Sequence, residues 1–322
     1  MANIAITKYC NLKCPYCFAE TMMTEEDKKN IDLNLLKDIL EWLKCTPHER
    51  IGLIGGEPTL HPQFKEILSI VNNHCEQNDS KSILFTNGIE LEKYLPYISP
   101  KMSILINVNN PNNMDDDNFI KLSSTLNRLY LNNKLSNYNS QVTCGCNICQ
   151  DIQDYSFFWN LVDKYQLKKI RISITAPNNN KEKENKILYY SNLKPIFIDF
   201  IQKAKQRKIK IVLDCNHIPQ CYFSEAELNN ILEVLENKNI FSNDYCDPCI
   251  DITADFKASS CFGTYDKFIN CLEFDNCEEL KNYFIKAILT KKQEFNNDRK
   301  CSNCKLFELK KCQGGCLKFS MF

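Results

Sequence analysis

The sequence predicts an α/β protein: a partial (β/α)6 TIM-like barrel over residues 1–214, then a small cysteine-rich domain over residues 215–322. Three observations lead there. Short β-branched runs alternate with amphipathic helical runs through the first two thirds of the chain, and apolar strands separated by helices mark a parallel sheet buried on both faces. Six to seven such units fit along the chain, which suits a partial barrel better than a closed eight-unit one. Beyond residue 214 the long strands vanish, Pro, Asn and Cys punctuate short segments, and more than half of the nineteen cysteines gather there. A segment of that kind builds no sufficient core alone and is expected to fold around metal.

The elements follow in order. "NIAIT" (3–7) reads as a strand ending just before Cys10. "DLNLLKDILEWLK" places Leu36, Ile39, Leu40 and Leu43 at helical spacing behind Asp32 as N-cap. "RIGLIGG" is a strand, and "HPQFKEILSIV" a helix with Pro62 in its first turn and Phe64, Ile67, Leu68 and Val71 on one face. "SILFTNG" and "MSILINV" are strands, and "DDDNFIKLSSTLNRLYL" is a helix opened by acidic residues. "QVTCGC", "KKIRISIT" and "KIKIVLDC" follow as strands with helices between them. In the C-terminal segment "CEELKNYFIKAIL" is a helix with Leu280, Phe284 and Ile288 in register.

Composition narrows the function. Lysine plus arginine and aspartate plus glutamate both total 40, so no basic surplus argues for a nucleic-acid partner. The cysteines could belong to a secreted disulfide framework or to a metal protein in a reducing compartment. "MANIAITKYC" is no signal peptide, no apolar stretch approaches a membrane span, and a chain this long needs no disulfide staples. Thiolate ligation of metal in the cytoplasm is the expectation.

"KYCNLKCPYCF" sets Cys10, Cys14 and Cys17 at C-x3-C-x2-C on the loop after the first strand. Structural zinc sites want four protein ligands. Three thiolates at the C-terminal end of a barrel strand, where such barrels keep their active sites, suit a [4Fe–4S] cluster with one iron left open. "GLIGGEP" puts Gly55, Gly56 and Glu57 at the end of the second strand, where glycine lets the backbone approach a ligand and acceptors can meet an ammonium group.

The cysteine motif, with an aromatic residue before its last cysteine and G-G-E-P one β/α unit later, resembles the radical S-adenosylmethionine (SAM) superfamily. The resemblance implies that SAM chelates the open iron and that reduction cleaves it to methionine and a 5′-deoxyadenosyl radical, which takes a substrate hydrogen. It places Gly55, Gly56 and Glu57 at the SAM ammonium and Tyr16 near the adenine. It extends to Asn87 within "TNG", to Asn107, and to Arg171 and Ser173, as contacts to the ribose or carboxylate. Polar caps on strand ends explain these last positions equally well.

The later cysteines resemble the SPASM extension of the same superfamily, which binds one or two auxiliary [4Fe–4S] clusters. Cys301, Cys304, Cys312 and Cys316 run C-x2-C-x7-C-x3-C, Cys215 and Cys221 run C-x5-C, and Cys246, Cys249 and Cys261 lie between. The resemblance assigns Cys215, Cys221, Cys246 or Cys249, and Cys316 to one cluster. A second, on Cys301, Cys304 and Cys312, would need Cys261, Cys271 or Cys277, or leave an iron open. The family's central gap is usually five residues and here is seven, and the further cysteine that normally follows the C-x3-C does not occur before Phe322. A zinc ribbon on the C-x2-C pairs is the competing reading.

Cys144 and Cys146 share one face of the strand "VTCGC", with Cys149 after it. If that face lines the barrel, a thiol could donate a hydrogen atom to a substrate radical; otherwise these are small apolar core residues. His61 and His217 are structural or support nearby ligands. SPASM-bearing members often modify peptides or proteins by thioether or carbon–carbon crosslinking, epimerisation or oxidation, so the resemblance implies a peptide maturase. Its partners would be a peptide or protein substrate and a reductant such as flavodoxin or ferredoxin; because the cluster motif starts at residue 10, leader recognition would need a separate leader-binding protein or another surface. The rivals are a radical enzyme on a small molecule and a zinc-binding interaction protein.

Overall fold

The computed structural model describes residues 1–17, 30–44, 50–175, 186–214, 218–238, 249–260, 268–295, 301 and 303–309. The strands are β1 (Ala2–Thr7), β2 (Arg50–Gly55), β3 (Lys81–Thr86), β4 (Ser103–Asn107), β5 (Val142–Ile148), β6 (Lys169–Ile174) and β7 (Lys210–Leu213), then the short β8 (Ile250–Ile252), β9 (Lys257–Ser259) and β10 (Ile269–Asn270). The longer helices are α1 (Leu33–Leu43), α2 (Phe64–Gln77), α3 (Asp116–Leu131), α4 (Ser156–Lys164), α5 (Lys186–Gln206), α6 (Glu225–Val234) and α7 (Cys277–Phe295). No described helix is long and apolar enough to cross a membrane.

Two compact units result. The first comprises Met1–Leu135, Asn139–Thr143 and Pro248–Phe284. Its sheet runs β10-β9-β8-β1-β2-β3-β4, parallel from β8 to β4 and antiparallel through β9 and β10. Ile4, Leu53, Leu84 and Ile104 stand side by side across four strands and are almost wholly buried. Burying each such side chain contributes about 1.5–3 kcal/mol.

Local chemistry explains the elements. Asp32 caps α1 through its carboxylate, which accepts from Asn34 N (2.8 Å) and Leu35 N (3.3 Å), and the four expected apolar residues of α1 are all buried. Helix α2 starts at Phe64 rather than at Pro62. A 3-10 turn at Pro58–Leu60 comes first, and Gln63 N donates to the His61 ring instead of entering the helix. Between β3 and β4 the chain forms the 3-10 segment Leu91–Tyr97, where Pro96 blocks a regular helix.

The β8–β9 hairpin docks on β1 through polar pairing. Asn3 Nδ2 donates to the buried Asp251 carboxylate at 2.7 Å, and Asp251 stands opposite Ser259. A slip of one residue would turn these groups to the other face, so the pair helps to set the register. At the hairpin turn Phe256 takes φ +58°, unusual for a bulky residue, and its ring meets Trp42 edge-on at 5.6 Å.

The second unit comprises Ser136–Tyr138, Cys144–Asp247 and Ile285–Phe322. Strands β5, β6 and β7 pair in parallel, with Cys144 beside Ile170 beside Ile211, and Cys146 beside Ile172 beside Leu213. An aromatic cluster of Tyr155, Phe158, Trp159 and Phe200 packs with ring centroids about 5–6 Å apart and fills the core near α4 and α5.

Candidate functional site

β1 ends at Thr7, and the loop after it carries Cys10, Cys14 and Cys17, all half-buried. The ends of the three neighbouring strands each hold a different part of this loop. From β2, Gly56 N donates to Thr7 O (2.8 Å) and Glu57 N to Tyr9 O (2.7 Å). A Cβ on Gly56 would lie 2.3 Å from Tyr9 O, and one on Gly55, whose φ is +155°, would lie 2.3 Å from Thr7 O. The glycine pair is therefore needed to let the cysteine loop close onto β2.

From β3, Asn87 Nδ2 donates to Asn11 Oδ1 at 2.7 Å. From the segment after β4, the buried Asn109 accepts from the Cys14 thiol (3.3 Å) and from the Tyr16 hydroxyl, and donates to Asn107 O (3.2 Å). Within the loop Cys17 N closes a turn on Cys14 O (3.0 Å) and Leu12 N points at Cys10 Sγ (3.5 Å).

Glu57 is 1% exposed and its carboxylate is heavily engaged. Oε1 accepts from Thr59 N (3.1 Å), Thr59 Oγ1 (2.6 Å) and Thr86 Oγ1 (2.7 Å), and Oε2 accepts from Asn87 N (2.7 Å). Burial pushes this carboxyl up, and the same donors pull it back towards the ionised form. Its side chain ties the end of β2 to the end of β3 and, among the described residues, keeps one acceptor position at Oε2. His61 is buried beneath, with Nε2 3.1 Å from Ile31 O and Nδ1 accepting from Gln63 N (3.1 Å), the neutral tautomer.

The donor set fits iron–sulfur ligation. Three thiols on one loop are soft ligands. Burial pushes the Cys10 thiol up to about 11; the Leu12 amide opposes this, while Glu57 and Cys17 add to it. Ionising it at neutral pH requires a cation, as metal ligation supplies. Among the described residues no three His, Cys, Asp or Glu side chains lie close enough to share a single ion.

Against known proteins, residues 3–128 match the family model described as a 4Fe-4S single cluster domain. That segment contains the three cysteines, Gly55–Glu57, Asn87 and Asn109. This match covers the segment in which the sequence resembles the radical SAM superfamily. The chain's fold is that of Streptococcus suis SuiB bound to S-adenosylmethionine: TM-score 0.67, 19% identity, covering 98% of this chain and 72% of SuiB. The same protein bound to its precursor peptide SuiA gives a TM-score of 0.62. A GTP 3′,8-cyclase from Helicobacter pylori is 33% identical over 94 residues, which are 28% of this chain and 28% of the cyclase. An S-adenosylmethionine-dependent nucleotide dehydratase from Fibrobacter sp. is 25% identical over 87% of this chain and 90% of its own length. The cluster-domain match supports a [4Fe–4S] cluster on this segment, and SAM is named for both SuiB and the nucleotide dehydratase.

The remaining sequence-predicted residues fall as follows. Asn107 closes β4 and is half-buried. In the second unit Arg171 and Ser173 lie on one face of β6, and the Arg171 guanidinium pairs with Asp214 beyond β7. Cys144 and Cys146 lie on the other face, in the isoleucine rows, and are 0% and 1% exposed. Burial alone pushes Cys144 up to about 12 and is the main cause pushing Cys146 up. Cys149 N donates to the Tyr155 hydroxyl at 2.9 Å.

Of the cysteines assigned to auxiliary clusters, Cys249 sits at the start of β8 with Sγ 3.2 Å from Met1 O, Cys221 is exposed, and Cys301 and Cys304 are joined by a turn (Cys304 N to Cys301 O, 3.0 Å). Cys215, Cys246, Cys261, Cys312 and Cys316 lie outside the described residues, as does His217. Cys271 and Cys277 are buried in the first unit. Sequence reasoning missed Asn11 and Asn109. The polar run "NVNNP" directly after β4 was the available signal for Asn109.

Proposed function

We propose that this protein cleaves SAM reductively and uses the 5′-deoxyadenosyl radical to take a hydrogen atom from a peptide or protein substrate, leading to a crosslink, epimerisation or oxidation. The observation that carries the reading is the three-cysteine loop seated by main-chain hydrogen bonds on Gly56 and Glu57 at the C-terminal ends of parallel strands. When bound, a [4Fe–4S] cluster supplies the electron that splits SAM.

The chain's own residues hold and orient. Cys10, Cys14 and Cys17 ligate the cluster. The Gly55–Glu57 main chain and the remaining position on Glu57 Oε2 receive the SAM ammonium, while Oε1 stays committed to Thr59 and Thr86. Tyr16 lies by the adenine, and Asn87 and Asn107 serve the ribose and carboxylate. Cys144 and Cys146 act as core residues, in keeping with their place among Ile170, Ile172, Ile211 and Leu213. The cysteine-rich segment 215–322 would hold at least one auxiliary cluster, which would supply an electron acceptor for a net oxidation. A Cys10/Cys14/Cys17→Ala variant then keeps iron and sulfide, and complete loss of both refutes the auxiliary site.

Peptide chemistry is supported by the cysteine-rich extension and by the fold shared with a protein captured with its precursor peptide. A nucleotide substrate is the second reading, favoured by the near full-length relation to the nucleotide dehydratase. The rate of 5′-deoxyadenosine formation separates them. Stimulation by a short peptide encoded beside the gene, with deuterium passing from peptide to 5′-deoxyadenosine, supports the first. Stimulation by nucleoside triphosphates alone refutes it.

A further inference from the structure

We infer that Asn109 is a positioning residue for the three-cysteine loop, latching Cys14 and Tyr16 to the end of β4 so that the loop stands in its ligating shape before iron arrives. The inference rests on the reading of Cys10, Cys14 and Cys17 as cluster ligands.

The geometry points to this in three ways. Asn109 is 5% exposed, and a buried amide is stable only when its polar atoms are used. Here Oδ1 serves two residues of the loop, Cys14 (3.3 Å) and Tyr16, while Nδ2 is anchored on its own segment at Asn107 O (3.2 Å). The amide therefore faces the loop with one end and the strand end with the other. A carboxylate in its place would set oxygen against the Asn107 carbonyl, and an aliphatic side chain would leave the Tyr16 hydroxyl without this acceptor.

The latch also completes a division of labour along the loop. Main-chain amides of Gly56 and Glu57 hold its start at Thr7 and Tyr9, and Asn87 holds Asn11. Asn109 holds the half that carries Cys14. A three-thiolate site has no fourth protein ligand to organise it, so the loop's own contacts must fix the sulfur positions. Pre-ordering a binding segment lowers the entropy cost of closing it on a ligand.

The test uses the full chain in iron-free and reconstituted forms, with Asn109→Leu, which keeps the branched heavy-atom skeleton and removes the amide, and Tyr16→Phe, which removes only the hydroxyl. In the iron-free protein, hydrogen exchange at residues 10–17 is expected to quicken about fivefold in Asn109→Leu and less in Tyr16→Phe, as loss of a net hydrogen bond implies. Exchange in the middle of α3 stays at the wild-type rate and shows that the fold survives. On anaerobic reconstitution, Asn109→Leu takes up loop iron more slowly and shows an altered EPR signal after reduction. Wild-type exchange and iron uptake in both variants overturn the inference. If the wild-type loop itself takes up no iron, the cluster reading fails, whatever the exchange rates show.

Discussion

Replacing Gly56 by alanine puts a methyl group into the backbone of the cysteine loop. The new Cβ lies 2.3 Å from Tyr9 O, 2.6 Å from Tyr9 C and 2.9 Å from Lys8 O, and none of these atoms can rotate away as a side chain could. To reach ordinary contact near 3.4 Å, the Tyr9 carbonyl must retreat by about 1 Å. That movement stretches the 2.8 Å bond from Gly56 N to Thr7 O and the 2.7 Å bond from Glu57 N to Tyr9 O beyond hydrogen-bonding range. Losing both costs about 2 kcal/mol, and residual overpacking adds about 1 kcal/mol, so the seated loop is disfavoured by about 100-fold. Gly52→Ala is the matched control: its Cβ would lie 2.1 Å from Asn3 Oδ1, a side-chain atom that can rotate at the cost of the bond to Asp251. The assay is iron and sulfide content after anaerobic reconstitution in a background lacking the auxiliary cysteines. Gly56→Ala is expected to lose most of its iron and Gly52→Ala to keep it. Full retention in Gly56→Ala, or equal loss in both, refutes the reasoning.

Three further predictions follow from particular residues. Cys146→Ala is expected to lower stability by about 1–2 kcal/mol through lost packing and to leave product formation intact; continued 5′-deoxyadenosine formation with product abolished would restore the hydrogen-donor role. Burial lowers the His61 pKa below 6.5, so the unfolded chain takes up the proton first; the stability from neutral His61 is complete above pH 6.5 and lost as pH falls below it. Denaturant titrations should therefore show a flatter decline from pH 6.5 to 5 in His61→Gln than in wild type, and equal slopes contradict the assignment. Phe256→Gly relieves a left-handed backbone worth about 1–2 kcal/mol but forfeits the buried ring against Trp42, worth about 3 kcal/mol or more; net destabilisation is expected, and a rise in melting temperature refutes it.

Much of the fold was legible because its signals are local. Leu36, Ile39, Leu40 and Leu43 repeat at helical spacing behind Asp32, and all four are buried behind that cap. The cysteine loop and Gly55–Glu57 were legible as motifs, but the steric reason for the glycines was not, since it lies in Tyr9 and Thr7 more than forty residues away. Period-two alternation showed that Cys144 and Cys146 share a face but not which face. Register against Ile170 and Ile172 decides that, and register belongs to strand pairing. The bonds from Glu57 to Thr86 and Asn87, and from Asn109 to Cys14 and Tyr16, join strand ends distant in sequence, so no local spacing announces them.

The central claim is that the open three-cysteine loop is where SAM is cleaved. The most direct measurement is 5′-deoxyadenosine and methionine formed from SAM and dithionite by anaerobically reconstituted protein, set against Cys14→Ala, with iron counted in both. The account predicts both products in the wild type, neither in Cys14→Ala, and a loss of about four irons per chain in the variant. Zinc in place of iron in the wild type, or undiminished 5′-deoxyadenosine from Cys14→Ala, would contradict it.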